Sequence, residues 1–346
     1  MINEICSEFK SGKNIKADSI SENGEYPVFG GNGLRGYTAS YNHEGLYVLI
    51  GRQGALCGNV RSVNGKTYIT EHAIAAAGNE KSNTSFLHYL FLKMNLGQYS
   101  DQSAQPGLAV NKLLKLEVSL PPISEQKKIA KLLSLLDERI ATQNKIIDKL
   151  QSLIKGIVDC TILRKEKNAI VGDVCSISEQ IRAEANIDDI ITVRLHGNGV
   201  CKSSAENLQL GATQYYRRKA GQLIYGKQNF HNGAIGIVPI SLDNGITSKD
   251  IPSFDIDEMK CNSVYLLAQL QSPQYYKPAE ALTTGTGSKR LKEETFLKMP
   301  IVLPNKREQD NIAVLIHRAS MNLDHAKRLL ELLSIQKQFL LRQMFI

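Results

Sequence analysis

Along this chain the apolar residues keep two rhythms in turn, and the pair of rhythms is written twice. From Ile129 they recur in alternating steps of four and three: Ile129, Leu133, Leu136, Ile140, Gln143, Ile147, Leu150, Ile154 and Ile157. That period predicts one long helix with a single packing seam. A second seam lies 183 positions on, through Ile312, Ile316, Ala319, Leu323, Ala326, Leu330, Leu333, Lys337 and Leu340. At ~1.5 Å per residue the first seam spans roughly 42 Å. Ser124 is the expected cap of the first helix, and Asn305 with Glu308 three residues on suits the start of the second. Between and before these stretches the rhythm is shorter. Tyr47–Ile50, Val60–Val63, Tyr68-Ile69, Gln222–Tyr225 and Ala234–Ile240 are brief apolar or β-branched runs bounded by Gly, Asn, Asp and Ser, which predicts strands. Phe86–Met94 and Ser263–Leu270 read as short buried helices.

The duplication covers the whole chain. Leu120-Pro121 with Glu125-Gln126 and Ile129-Ala130 returns as Leu303-Pro304, Glu308-Gln309 and Ile312-Ala313. Further upstream Tyr89-Leu-Phe-Leu matches Tyr265-Leu-Leu-Ala, Gly54-Ala-Leu matches Gly233-Ala-Ile, and Ile2–Ser7 matches Val171–Ser176. Leu116–Leu120 and Met299–Leu303 alternate with a period of two before their prolines and read as strands closing a domain. The expected architecture is α+β: two strand-rich domains, residues 1–121 and 161–304, each followed by a long helix, residues 122–160 and 305–346. The two helices are expected to pair antiparallel as a coiled-coil spacer, giving a pseudo-two-fold tandem repeat.

Composition narrows the function classes. A net charge of +8 suits an anionic partner without requiring one. The six cysteines are scattered and form no CxxC or Cys/His cluster, so neither a zinc site nor a disulfide framework is indicated, and a reducing, cytoplasmic setting is expected. Residues 1–12 lack the apolar run of a signal peptide, and no stretch is long enough to span a bilayer, so no membrane role is expected.

No catalytic constellation stands out. Gly31-Asn-Gly33-Leu-Arg-Gly36 fits GxGxxG, but no amphipathic helix follows it, and a glycine-rich turn between strands is the better reading. Glu71-His72 and His231 lack a nucleophile or paired carboxylate at usable spacing and read as loop residues. What remains is a set of basic, amide and aromatic loops present in both copies. The first copy offers Arg35 with Tyr37, and Arg52-Gln53. The second offers Arg217, Arg218 and Lys219, then Lys227, Gln228 and Asn229, then Lys289 and Arg290. Arginine and lysine bind guanine edges or phosphates, and glutamine and asparagine pair with adenine. These residues are therefore the expected DNA contacts.

With the two Leu-Pro-x-x-x-Glu-Gln-x-x-Ile-Ala helix entries, the run Leu282-Thr-Thr-Gly-Thr-Gly-Ser-Lys-Arg-Leu291, Gly51-Arg-Gln-Gly54 after a strand, and the tandem repeat, the chain resembles the specificity (S) subunit of type I restriction-modification systems. That resemblance implies a non-catalytic reader of double-stranded DNA, each domain contacting half of a bipartite, asymmetric site. It implies docking of two methyltransferase (M) subunits on the helices, with restriction (R) subunits able to join. S-adenosylmethionine, ATP and Mg are then expected on those partners, with no cofactor on this chain. Ile2 aligns with Val171, so the chain starts almost at the first recognition domain, without the leading segment of some family members. Circular closure is then expected to rest on the carboxyl-terminal helix alone, and the missing segment leaves open an origin as an allele of a shuffling locus. The helices would act as a ruler between half-sites about one DNA turn, ~34 Å, apart. Matched heptad insertions in both helices should shift the gap seen by methylation-site sequencing; an unchanged gap would remove the ruler. Two other classes make different demands. A coiled-coil scaffold without sequence-specific DNA binding would leave DNA unbound with or without M subunits, and a self-contained enzyme would methylate alone.

Overall fold

The computed structural model describes residues 1–101, 107–203, 213–285 and 289–345. It contains two compact units, Met1–Asn144 with Arg328–Ile346, and Lys145–Lys327. Both divisions fall inside the long helices Ile123–Val158 and Lys306–Gln343.

Among the described residues the first unit holds eight strands: β1 Cys6–Ser11, β2 Tyr26–Gly30, β3 Gly33–Thr38, β4 His43–Glu44, β5 Tyr47–Gly51, β6 Val60–Val63, β7 Lys66–Ile69 and β8 Ala73–Gly78. One antiparallel sheet runs in the order β1-β8-β5-β6, and a second runs β3-β2-β7-β4 with β2 and β7 parallel. The central strands β5 and β8 are apolar on both faces because both faces are covered. Val48, Ile50, Ile74 and Ala76 enter the core under the helix Thr84–Met94, while Leu49, Ala73 and Ala75 meet Ile69 on the opposite side. This is the period-two alternation of a strand with two buried faces.

The second unit repeats the main sheet. Its four antiparallel strands run Cys175–Ile177, Ser253–Ile256, Leu223–Tyr225, Ile235–Ile237. In chain order this is the connectivity of β1, β8, β5 and β6, so the duplication seen in the residues is also a duplication of topology. The helices Thr84–Met94 and Ser263–Leu270 occupy equivalent positions, and the side chains of Asn83 and Asn262 cap them by accepting backbone N–H groups.

Every seam residue of the two long helices is buried or half-buried, including Gln143 and Lys337. In the first unit Ala130 and Leu133 join the core with Leu340, Leu341 and Phe345, and Phe345 stacks on Phe86 at 4.9 Å. In the second unit Val158 and Ile162 join the core with Ile312, Ala313 and Ile316. Within each unit, then, the beginning of one helix lies with the end of the other, and the pairing is antiparallel.

The Glu-Gln of each helix entry has a clear physical reason. Gln126 is fully buried: its Oε1 accepts from Asn83 N at 2.8 Å, and its Nε2 donates to Lys81 O and Pro121 O, both at 2.9 Å. Gln309 repeats this, accepting from Asn262 N at 2.9 Å and donating to Lys260 O at 3.1 Å and Pro304 O at 2.8 Å. One amide thus rivets the long helix to the cap of the short helix in each unit.

The units differ beside this rivet. In the first, Lys337 Nζ lies 2.5 Å from Asp137 Oδ1, and Asp137 also accepts from the Tyr89 hydroxyl at 2.9 Å. The neighbouring His88 is pushed down to about 4, mainly by burial, and its Nδ1 is buried without a hydrogen-bond partner. In the second unit Val264 stands at the place of His88, and the Tyr265 hydroxyl donates to Val302 O at 3.0 Å.

Two expectations are corrected. Leu116–Leu120 is not a strand, although Pro300–Ile301 pairs with Ala169–Ile170 in the second unit. A period of two describes an extended chain, and only a partner strand turns it into a ladder; the leucine stretch has none among the described residues. Ser124 lies inside the first helical turn, where Glu125 N already donates to Pro122 O, so it is not the cap. Asn305 does cap, its side chain accepting from Glu308 N at 3.0 Å.

Candidate nucleic-acid interface

In the first unit the site forms where β5 ends. Gly51 is required there because a Cβ would lie 2.5 Å from Leu56 O. The next residue is gripped from both sides: Arg52 N donates to His72 O, and Arg52 O accepts from Leu108 N, each at 2.9 Å. Gln53 then bridges to Gly107. Opposite lies the β2–β3 hairpin, whose glycine-rich sequence is a turn between strands, with Gly31 admitting the His72 carbonyl at a distance no side chain would allow. The two loops enclose a cleft of about 350 Å³ lined by Gly30, Gly31, Asn32, Arg35, Gln53, Gly54 and His72.

Arg35 reaches this cleft through a β-bulge. Pairing shifts between Val28–Gly36 and Phe29–Leu34, leaving Arg35 without a partner across the ladder, and the extra residue re-aims its side chain. Arg35 and Gln53 are exposed, Arg52 half-buried. Tyr37 is half-buried further along β3, where its backbone pairs with Ser21, and it is not among the lining residues. The Arg61 guanidinium lies against Gly33 beside the hairpin.

The second unit builds the same backbone frame at the end of Leu223–Tyr225. Lys227 N donates to Asp250 O, and Lys227 O accepts from Leu291 N, each at 2.9 Å. Gly226-Lys227-Gln228 therefore stands where Gly51-Arg52-Gln53 stands, Asp250 where His72 stands, and Leu291 where Leu108 stands. The isolated bridge Thr284–Arg290 likewise matches Asp101–Gly107. Gln228, Asn229, Lys289 and Arg290 are exposed around this frame. Arg290 Nη2 is 3.2 Å from Asp250 Oδ2, and Lys289 Nζ is 3.4 Å from Glu280 Oε1. Thr286, Gly287 and Ser288 of the Thr/Gly-rich run lie outside the described residues.

Two of the expected contact residues point inward instead. Arg218 is 0% exposed, its Nε donating to Thr247 Oγ1 at 2.7 Å, Nη1 to Ser253 Oγ at 2.9 Å and Nη2 to Ile251 O at 3.0 Å. It is a bolt through the second unit, and burial lowers its pKa to about 10. Lys227 Nζ is 2.6 Å from Glu293 Oε1 with only 11% of its side chain exposed, so its charge is spent internally. The strand Tyr215–Arg217 ends just before Arg218, and Arg217 and Lys219 remain exposed on either side of it.

Reading the residues as loops missed His72 with Glu71, Asn32, Arg61 and Asp250. The signal that finds them is the match of Gly51-Arg52-Gln53 to Gly226-Lys227-Gln228, 175 positions apart and each following an apolar strand. No group of three or more metal-ligating side chains occurs among the described residues, and no helix among them is long and apolar enough to cross a membrane.

Residues 1–152 match the family model described as Type I restriction modification DNA specificity domain. The chain is 45% identical over 134 residues to the type I restriction enzyme EcoprrI specificity subunit of Escherichia coli, covering 38% of this chain and 33% of that one. It is 22% identical over 260 residues to the type I restriction enzyme MjaVIII specificity subunit of Methanocaldococcus jannaschii, covering 65% of this chain and 61% of that one. The matched stretches thus span less than two thirds of either relative. In fold, the chain is similar to the type I restriction-modification S subunit from M. genitalium, with a TM-score of 0.72 at 14% identity, covering 100% of this chain and 95% of that one.

Proposed function

We propose that the chain is the non-catalytic DNA-reading subunit of a type I restriction-modification complex, a reading supported by the match of residues 1–152 to the DNA specificity domain and by a fold similar to that of an S subunit. The observation that carries this reading is the frame built twice: a Gly-Arg-Gln and a Gly-Lys-Gln loop held by matching backbone bonds, with different side chains around them. One frame per half-site is what an asymmetric bipartite target requires. Arg35, Arg52 and Gln53 then serve one half-site, with Tyr37 beside them. Arg217, Lys219, Gln228, Asn229, Lys289 and Arg290 serve the other, and Arg218 and Lys227 hold the frame. Functionally the chain divides into recognition domains at residues 1–121 and 161–304 and spacer helices at residues 122–160 and 305–346.

The long helices supply the docking surface for two M subunits. Beside the buried seam each unit keeps an exposed apolar row, Leu132, Leu135, Leu329 and Leu332 in the first and Ile146, Leu153, Val314 and Leu315 in the second. Such rows favour a protein partner over water. S-adenosylmethionine, and ATP with Mg where R subunits join, belong to those partners, and the complex acts in the cytoplasm. Co-expression with the M subunits, followed by long-read mapping of methylated adenine, tests the assignment. A bipartite motif that appears only when this chain is present is the expected result; methylation indifferent to the chain would sink it.

A further inference from the structure

The Glu71-His72 pair, which no part of the proposed role has used, sits directly behind Gln53. His72 Nδ1 is 3.1 Å from Gln53 Oε1, and His72 Nε2 is 3.2 Å from Glu71 Oε1. The imidazole thus spans a carboxylate and an amide. Its own carbonyl is the acceptor for Arg52 N, so the backbone that carries the ring is pinned to the loop that carries Gln53.

We propose that Glu71 and His72 are positioning residues that set which end of the Gln53 amide faces a base as acceptor and which as donor. The proposal rests on the DNA-reading role given above. A free glutamine amide turns over at little cost, exchanging its oxygen and nitrogen, and an amide that turns over matches more than one base edge. When both ring nitrogens carry a proton, Nε2–H on Glu71 and Nδ1–H on Gln53 Oε1, that exchange is blocked, because the NH2 group would face the ring N–H. Carbonyl oxygen has a second lone pair, so Oε1 still accepts while Nε2 donates. An acceptor and a donor side by side in one fixed order complement the N6 amino group and N7 of adenine in the major groove, in one strand orientation only. Gln53 is exposed and lines the same cleft as Arg35 and Asn32, so the oriented amide is presented beside a cation able to hold a phosphate or a guanine.

The second unit lacks this relay. Asp250 occupies the place of His72 and pairs with Arg290, leaving Gln228 exposed with no side chain of the His72 kind behind it among the described residues. Orientation of the reading amide is therefore a property of the first half-site.

The test uses the complex with its M subunits and a library of DNA sites, read as base preference at each position of both half-sites. His72→Ala should flatten the preference for adenine at one position of the first half-site by about tenfold. The second half-site should be unchanged, and total DNA affinity should stay within about twofold, because phosphate contacts remain. Glu71→Gln should weaken the same position only. His72→Asn, whose amide keeps a donor near the place of Nδ1, should restore the preference. A merely structural role for His72 would lower stability and affect every position together. Unchanged preference in His72→Ala, while the unmodified chain selects a bipartite site, overturns the relay alone. Absence of sequence selection by the unmodified chain overturns the DNA-reading role and the relay with it.

Discussion

The loops after Gly51 and after Gly226 show how far two copies of one frame can diverge. Both hold the residue after the glycine by one bond that its N–H donates and one that its carbonyl accepts, each at 2.9 Å. In the first the gripped residue is a half-exposed arginine with a histidine behind the following glutamine; in the second it is a lysine sunk onto Glu293, with an aspartate tied to an arginine behind. Backbone bonds do not depend on side-chain identity, so the frame survives while the chemistry on it changes. Side chains on one frame can therefore change without loosening the backbone of the other.

The sharpest way to break this comparison is to remove the buried arginine bolt of the second unit, which the first lacks among the described residues. Arg218→Ala leaves Thr247, Ser253 and the Ile251 carbonyl without their buried donor and opens a void, and should destabilise the second unit by about 4 kcal/mol. Chemical denaturation followed by hydrogen exchange in each unit checks this. Equal loss of protection in both units would mean that the bolt is not local.

The rivet tests what the copies share. Gln126→Ala and Gln309→Ala each delete three buried hydrogen bonds and should each cost about 3 kcal/mol, the first exposing residues 81–83 to exchange and the second residues 260–262. Costs differing by more than about twofold would show that matching geometry is not matching energy.

A smaller difference separates the units in acid. His88 titrates lower in the folded chain than when unfolded, so the unfolded chain takes up the proton first as pH falls. Its contribution is therefore present above the ordinary histidine range near 6.5 and is lost as pH falls through about 4. The loss should reach up to about 3 kcal/mol by about pH 4, in the first unit only. His88→Val, which installs the residue found at the matching place in the second unit, should remove that part of the acid dependence. An unaltered acid limb in this variant would assign the loss to other groups.

Much of the architecture is legible without coordinates because long helices and duplicated segments leave periodic traces. The seams through Ile129 and Ile312 follow from the helical repeat, and each seam residue is covered in the folded chain. Glu125-Gln126 and Glu308-Gln309 are visible as motifs, but their meaning as buried rivets comes from Asn83 and Asn262, more than forty residues away in the chain. Leu116–Leu120 misled because alternation marks extension without guaranteeing a partner strand. In the candidate site the loops could be picked out by composition, yet Arg217, Arg218 and Lys219 are indistinguishable as letters; only the fold turns the middle one inward.

Periodicity and repetition, being local properties of the chain, by themselves determined the two copies, their helices and their α+β class. Which cation is spent on holding the frame and which is free for a partner was decided by tertiary structure alone. Burial and hydrogen bonding of a side chain depend on groups brought together from distant positions, as Glu71, His72 and Gln53 are around one cleft.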